Sequence, residues 1–301
     1  MNKKYCFTGE EKTVRDAVLR RIKALRSFGD VKEGDLGGWI EKESNLSHEG
    51  NCWVYGNAGV CGNAQVYENA EVSGNAWVYE NARVYGNAEV SGNAWVYENA
   101  RVYENAEVSG NAWVYGNAGV CGNAQVSGSA QVSWDARVYG NAWVYGNAWV
   151  YENAEVSGSA QVSWDARVYG NARVRHMMHI KEGVYTSEEI DVASLLRCSV
   201  GAAAVGGRVL LYKRVNKIGE GVYSSLHDKD FLYKDGEVSS VGRDVPVNWD
   251  VSCGEGLHCS GVHYWDEGDT LIAMWVDVAD ILSIAEGKVR AKKVLVIGEC
   301  Q

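Results

Sequence analysis

The chain has 301 residues and a formal net charge of −10 at pH 7, so it is long enough for two domains with separate cores. The acidic balance argues against nucleic acid as a direct partner, because phosphate contacts need clustered Lys and Arg. No apolar run approaches the roughly 20 residues that span a bilayer, and the start does not resemble a signal peptide. Its eight cysteines are scattered, which argues against a disulfide framework. We therefore expect a cytoplasmic protein of a bacterial host, with no membrane partner.

Residues 1–45 predict a small N-terminal β cap. One strand or hairpin is predicted from Val18 through Phe28, and a glycine-rich stretch, Gly34–Ile40, follows it. These residues precede a regular repeat, and a repeated column needs a cover at its open end.

Residues 46–180 carry a six-residue repeat. From Val54 to Val174 a valine stands at every sixth position, twenty-one times without a gap, and Ala stands two residues before all but the first. The Ala-x-Val-x pattern alternates inward and outward with the period of a strand. Pairs such as Gly56-Asn57 separate these segments and tolerate the positive φ of a sharp turn. Each unit is therefore predicted to be one short strand and one corner, stacked on its neighbours around a Val and Ala interior.

The pattern Val-x-Gly-Asn-Ala-x resembles the hexapeptide repeat of left-handed β-helix proteins, in which three units form one triangular coil. The resemblance covers about residues 46–180 and implies seven coils, with residues eighteen apart stacked on each other. The left hand is implied by the family alone, because crossovers between parallel strands are otherwise almost always right-handed.

A spacing of eighteen residues sorts the outward side chains onto three sides. One side has four tryptophans with four tyrosines beside them, another has Glu71, Glu89 and Glu107, and the third has arginines. The candidate binding or interface residues are Trp77, Trp95, Trp113, Trp149, Tyr79, Tyr97, Tyr115, Tyr151, Arg83, Arg101 and Arg137. The aromatic set fits three roles: a stacking ladder that stabilises the coils, an interface for self-association or a partner, and a platform for a nucleobase or sugar.

Residues 181–301 predict a separate, mixed α/β domain. Ser187–Glu189 followed by Ile190, Val192 and Leu195 predicts a capped helix. The predicted strands are Val209–Tyr212, Leu271–Val276 and Lys293–Ile297.

The candidate site residues of this domain are Cys253, His258 and Cys259. Their spacing differs from the Cys-x-x-Cys pairs of structural zinc sites, so we predict no metal and no cofactor, with a glycine turn and buried thiols as the simpler interpretation. Together with Leu211–Lys213, Val276–Ile281 and Lys288–Lys293, this stretch resembles an uncharacterised domain of phage and bacterial proteins over about residues 205–299. Gly254–Cys259 is also faintly similar to a segment of ADP-ribosyltransferase-like domains, but no convincing pair of catalytic glutamates accompanies it.

The first 175 residues resemble proteins encoded by phages and prophages and described as polymer-forming or hexapeptide-transferase-like. The resemblance rests on Arg21–Leu25, Gly34–Trp39, Asn45–Ser47 and Gly50–Tyr55. It implies a non-enzymatic structural or interaction protein, a trimeric rod that displays a C-terminal binding domain.

Two other functions stay open. One is an inhibitor of bacterial host defence that sequesters a small nucleotide or a host protein. The other is an acyltransferase of the hexapeptide type, in which a histidine acts as base on the substrate. No histidine occurs between His48 and His176 and no loop interrupts the repeats, so the sequence departs from that family where catalysis would take place.

Overall fold

The computed structural model describes residues 3–14, 16–175, 179–181, 183–186, 192–241, 256–264, 267–285 and 287–300. The chain divides into two compact units, Met1–Glu189 and Ile190–Gln301. Both are built from β-strands, and among the described residues no helix has the length and apolarity to cross a membrane.

The first unit opens with three strands, β1 (Tyr5–Val14), β2 (Ala17–Ala24) and β3 (Leu36–Ile40), and one 3-10 turn (Glu43–Asn45). Strand β2 pairs antiparallel with β1 and with β3. The cap and the repeats share one sheet, because β3 pairs in parallel with the repeat strand that contains Gly59 and Val60. Tyr5, Leu19, Ile22 and Trp53 are fully buried and form the core of the cap.

The repeats form twenty-one strands of two residues, each of which ends on a repeat valine. In chain order, β4 to β24 are Trp53–Val54, Gly59–Val60, Gln65–Val66, Glu71–Val72, Trp77–Val78, Arg83–Val84, Glu89–Val90, Trp95–Val96, Arg101–Val102, Glu107–Val108, Trp113–Val114, Gly119–Val120, Gln125–Val126, Gln131–Val132, Arg137–Val138, Trp143–Val144, Trp149–Val150, Glu155–Val156, Gln161–Val162, Arg167–Val168 and Arg173–Val174. Two further strands, β25 (His179–Ile180) and β26 (Val184–Tyr185), continue the pattern.

Each repeat strand pairs in parallel with the strand eighteen residues away. Val102, for example, is in register with Val84 and Val120, and the Arg101 N–H donates to the Ala118 carbonyl at 2.9 Å. Eight parallel pairings lead from β3 to β26, and the six between repeat strands are eighteen residues apart, so the unit is a parallel β-solenoid. The prediction of three hexads per turn is confirmed by this register.

The solenoid has three sides, named after the residues that point outward from their strands. The tryptophan side comprises β5, β8, β11, β14, β17, β20 and β23; the glutamate side comprises β4, β7, β10, β13, β16, β19 and β22; the arginine side comprises β6, β9, β12, β15, β18, β21 and β24. Inside, the repeat valines and alanines are at most 1% exposed. Because the interior is the same at every turn, chemical variety is confined to the outward positions and the corners.

The corners need a left-handed backbone. The first corner residue has a positive φ, as in Gly92 (+67°), and a Cβ at Gly92 would stand 2.8 Å from the Gly110 carbonyl oxygen. Glycine fits this conformation without strain. Seven corners have another residue there with φ between 53° and 62°: Glu68, Glu80, Glu98, Glu104, Trp134, Glu152 and Trp164.

The prediction of a mixed α/β C-terminal domain is wrong, because the described part of this unit is rich in sheet. Its helical structure consists of one short α-helix, α1 (Val192–Leu195), a π-helical turn (Leu196–Val200) that ends at Gly201, and a 3-10 turn (Val278–Asp280). Residues 187–191, where a longer helix was predicted to begin, lie outside the described ranges.

The strands of this unit are β27 (Ala204–Val205), β28 (Arg208–Gly219), β29 (Val222–Ser224), β30 (Leu232–Lys234), β31 (Val238–Ser240), β32 (Leu257–Ser260), β33 (Thr270–Asp277), β34 (Ile281–Ala285), β35 (Lys288–Ala291) and β36 (Lys293–Glu299). The main sheet has the order β31-β36-β33-β28-β32-β35-β34, and its pairs are antiparallel. Strand β28 buries alternate residues along its length, from Val209 to Val215. Burial of every second residue is typical of a β-strand with one face against a core, which explains why this segment forms a strand.

Candidate functional site

The predicted tryptophans lie in one column on the tryptophan side. Trp77, Trp95 and Trp113 occupy successive turns, Gln131 takes the next place, and Trp149 follows it. The Trp95 and Trp113 rings are stacked with centroids 5.7 Å apart and planes 16° apart. Trp113 and Trp149 remain 40% and 41% exposed, so the column presents indole surface to solvent.

Neighbouring residues fix the two ends of this column. A Cβ at Gly59 would stand 2.7 Å from the Trp77 ring, so the missing side chain makes room for that indole. At the other end the Arg167 guanidinium lies 5.3 Å from the centroid of the Trp149 ring, at cation–π distance. The column is therefore an ordered surface.

The predicted tyrosines form a second ladder beside the tryptophans. Tyr79, Tyr97 and Tyr115 stack with centroids 4.9 and 5.0 Å apart and nearly parallel planes, and Tyr151 stacks on Tyr169 at 4.7 Å. Burial raises the pKa of Tyr97, and the adjacent Tyr79 and Tyr115 raise it further. The raised pKa keeps the Tyr97 ring neutral at physiological pH, so no charge on Tyr97 opposes the stack.

The predicted arginines share the arginine side but do not form an unbroken column. Arg83 and Arg101 are in register, Gly119 separates Arg101 from Arg137, and Glu155 comes next. All three arginines are exposed. Like charges in register repel each other, so this arrangement adds no stability of its own. It provides a basic strip on an otherwise acidic protein.

A cavity that the sequence did not reveal lies between the tip of the β1–β2 hairpin and the tryptophan side. Its volume is about 480 Å³, and its lining includes Trp77, Trp95 and Tyr79 together with Asp16, Glu41 and Glu80. The hairpin tip closes one wall, and the repeat pattern carries no signal for that placement. Glu41 and Glu80 are visible in the sequence only as acidic residues that flank aromatic positions.

Sequence reasoning also missed two tryptophans at the corners. Trp134 and Trp164 are 63% and 65% exposed, and both adopt the left-handed backbone, with φ of 59° and 53°. The available signal was the pair Trp-Asp, which stands twice at a corner where the other repeats have Gly-Asn, Glu-Asn or Gly-Ser. A bulky residue in this conformation is strained, which marks both corners as departures from the repeat.

In the C-terminal unit, His258 and Cys259 are neighbours on β32, whereas Cys253 lies outside the described residues. The Cys259 thiol is fully buried and donates to the Val289 carbonyl at 3.5 Å, and burial raises its pKa to about 12. A thiol that stays protonated is a poor nucleophile and metal ligand. Cys259 is therefore a core residue.

His258 is also held in its neutral form. Desolvation, followed by the charges of Lys213 and Arg290, lowers the pKa of its imidazole to about 4. The Lys213 ammonium donates to the His258 carbonyl at 3.0 Å. Within the described ranges no group of three or more His, Cys, Asp or Glu side chains is placed to hold a metal ion.

The family described as YdcK beta solenoid repeat matches residues 82–98 and 136–152. Both stretches lie in the solenoid, so the chain contains repeats of this β-solenoid type. A curated relative, the "Uncharacterized acetyltransferase YdcK" of Escherichia coli (strain K12), is 48% identical over 46 residues. That alignment covers 15% of this chain and 14% of the relative.

Proposed function

We propose that this chain is a non-catalytic interaction protein that assembles into a homotrimer through its tryptophan side. The supporting observation is the register of four tryptophans on one side, two of which are about two-fifths exposed on an ordered ladder. Exposed aromatic patches of this kind are typical of protein contacts, and Trp is enriched at interface cores. A stacked column also loses little side-chain entropy on binding.

The same proposal includes a phage or prophage origin and a C-terminal unit that acts as the displayed binding domain. Both rest on the resemblance of residues 1–175 and 205–299 to such proteins. A left-handed winding belongs here as well, supported by the hexapeptide pattern and the eighteen-residue turn. An experimental structure of the solenoid tests that hand directly.

The assembly is tested with a pair of matched tryptophans. Trp143 is 39% exposed on the glutamate side, nearly the same exposure as Trp113 and Trp149. We expect light scattering to give the mass of three chains for the wild type and for Trp143→Ser. The double variant Trp113→Ser with Trp149→Ser is expected to give one chain, since loss of an interface tryptophan costs about 2 kcal/mol or more, roughly 30-fold in Kd.

The control is circular dichroism, which measures whether each variant keeps the β-sheet content of the wild type. A folded double variant that retains the wild-type mass contradicts the assigned interface. A monodisperse wild-type monomer contradicts the assembly itself and favours the alternative that the aromatic column is only an internal stacking ladder.

Acyl transfer is the second candidate, favoured by the acetyltransferase name of the Escherichia coli relative. An acyltransferase of this type needs a histidine base, and in the first unit His48 is the histidine whose side-chain contacts can be described. Its Nδ1 accepts the Lys4 N–H at 3.2 Å. The neutral imidazole therefore has its proton on Nε2, which is buried and has no hydrogen-bond partner among the described residues, and the ring is stacked on Tyr5. This geometry supplies no free basic nitrogen, so we rank acyl transfer second. Saturable binding of acetyl-CoA, measured by calorimetry, would reverse that order.

A further inference from the structure

We propose that the cavity between the β1–β2 hairpin tip and the tryptophan side binds a small organic ammonium ion. This goes beyond the proposed assembly, because it assigns a ligand to a site that one chain forms alone. The volume, about 480 Å³, lies in the range of small-molecule sites, which is about 300–1,000 Å³.

Aromatic rings supply one half of the recognition. Tyr79 and Trp95 meet edge to face, with centroids 6.0 Å apart and planes 82° apart, so they form two walls of a corner. Trp95 is held by its stack on Trp113, and Trp77 rests on Gly59. An ammonium ion against the face of an indole gains about 0.5–2 kcal/mol, more where water is excluded.

Carboxylates from three separate segments supply the other half. Asp16 comes from the hairpin turn, Glu41 follows β3, and Glu80 occupies a corner of the solenoid. Glu41 is fixed, because its Oε2 accepts the Gly62 N–H at 2.6 Å. Acidic groups around aromatic walls match a positively charged ligand with an apolar body.

Glu80 and Glu98 differ from the other glutamates that have a left-handed corner backbone. Glu68, Glu104 and Glu152 each accept the N–H of the glycine one turn further on, at 2.7 to 2.9 Å. Among the described residues neither Glu80 nor Glu98 makes such a bond, although the φ of Glu80, 59°, costs about 1–2 kcal/mol in strain. Of these two glutamates, Glu80 lines the cavity.

The chain itself already places an ammonium group against this row of rings. The Lys12 Nζ lies 4.5 Å from the centroid of the Trp39 ring and 5.6 Å from that of Trp77. Its charge opposes a second cation nearby. The Arg21 guanidinium lies 5.8 Å from the centroid of the same Trp39 ring and opposes an added cation as well. Among the described residues, however, the lining of the cavity itself contains three carboxylates and no Lys or Arg side chain, which favours a positively charged ligand there.

The probe is choline, titrated into the full-length chain by calorimetry, with its uncharged isostere 3,3-dimethyl-1-butanol as the comparison. We expect choline to bind saturably and the alcohol to bind at least tenfold more weakly. Saturable choline binding without that difference, or the absence of saturable choline binding, overturns the proposal.

Variants locate the site. Glu80→Gln should weaken choline binding at least fivefold, whereas Glu98→Gln, one turn further along the same corner and with the same left-handed backbone, should leave it unchanged. Trp95→Leu and Trp143→Leu form a second pair, in which only Trp95 lines the cavity and Trp143 lies outside the proposed interface, on the glutamate side. Equal losses within either pair contradict the assignment. Light scattering on the same samples reports the assembly separately, so failure of one proposal does not imply failure of the other.

Discussion

Replacement of a single interior valine tests the stacked architecture most directly. Val102 is fully buried at the middle of the arginine side, between Val84 and Val120 in the adjacent turns. Val102→Ala removes two methyl groups, about 1.6 kcal/mol in transfer free energy. The vacated space is about 50 Å³, which adds about 1.2 kcal/mol at 24 cal/mol per Å³. The backbone ladder holds both neighbours in place, so we expect the free energy of unfolding to fall by about 3 kcal/mol.

The matched control is the adjacent residue. Arg101 lies on the same two-residue strand but points outward and is exposed, so Arg101→Ala should change the unfolding free energy by less than about 0.5 kcal/mol. Urea unfolding followed by tryptophan fluorescence measures both, since nine of the 12 tryptophans belong to the first unit. A loss below about 1 kcal/mol for Val102→Ala, or an equal loss for Arg101→Ala, would refute the assignment of an interior column.

Three further predictions concern residues outside the interior column. Trp134→Gly relieves the strain of a left-handed backbone, so we expect it to raise the free energy of unfolding of the first unit by about 1 kcal/mol. Urea unfolding should show this as a higher midpoint, and a lower midpoint contradicts this account. Lys4→Met should cost about 1–3 kcal/mol in a thermal melt, because the buried ammonium donates to the Cys52 carbonyl at 2.8 Å and that acceptor would lose its partner. The pKa of His258 is about 4 in the folded state and about 6.5 in the unfolded state. Between pH 6.5 and pH 4 the unfolded state therefore binds more protons, so the free energy of unfolding falls as the pH drops through this range. His258 is partly exposed, so the effect should be on the order of 1 kcal/mol, and His258→Gln should show a smaller loss between pH 6.5 and 4 than the wild type.

The solenoid could be predicted from sequence because its interior obeys one rule at every turn. A valine at each sixth position fixes the strand, and position modulo eighteen then decides which outward residues share a side. Trp95 and Trp113 are stacked for this reason, and so are Tyr97 and Tyr115. Local pattern and tertiary contact coincide in a repeat protein, since each unit contacts mainly its neighbours.

The C-terminal unit lacks that redundancy. A short apolar pattern near Leu195 predicts a helix, yet the part of it that lies in the described ranges has four residues and is followed by a π-helical turn. Local propensity is a weak guide when a sheet of long-range antiparallel pairs determines the fold, as in the pairing of Arg208 with Asp277. The cavity escaped prediction for a similar reason, because Asp16 and Glu80 are distant in sequence and are brought together by the fold of the cap.

Departures from the repeat are therefore the best guide to function in this chain. Any hexad with inward Ala and Val stacks on its neighbours, so stability alone explains neither a tryptophan at a strained corner nor a glutamate at one that glycine fills without strain. Glu68, Glu104 and Glu152 recover part of that strain through a backbone hydrogen bond. Glu80 lacks this bond among the described residues and lines a cavity with aromatic walls. Within the same ranges Glu98 also lacks this bond and does not line the cavity, so the strained backbone alone does not indicate a ligand. What distinguishes Glu80 is its position at the edge of two indole rings together with Asp16 and Glu41, a set of groups that the stacking of the repeats does not require.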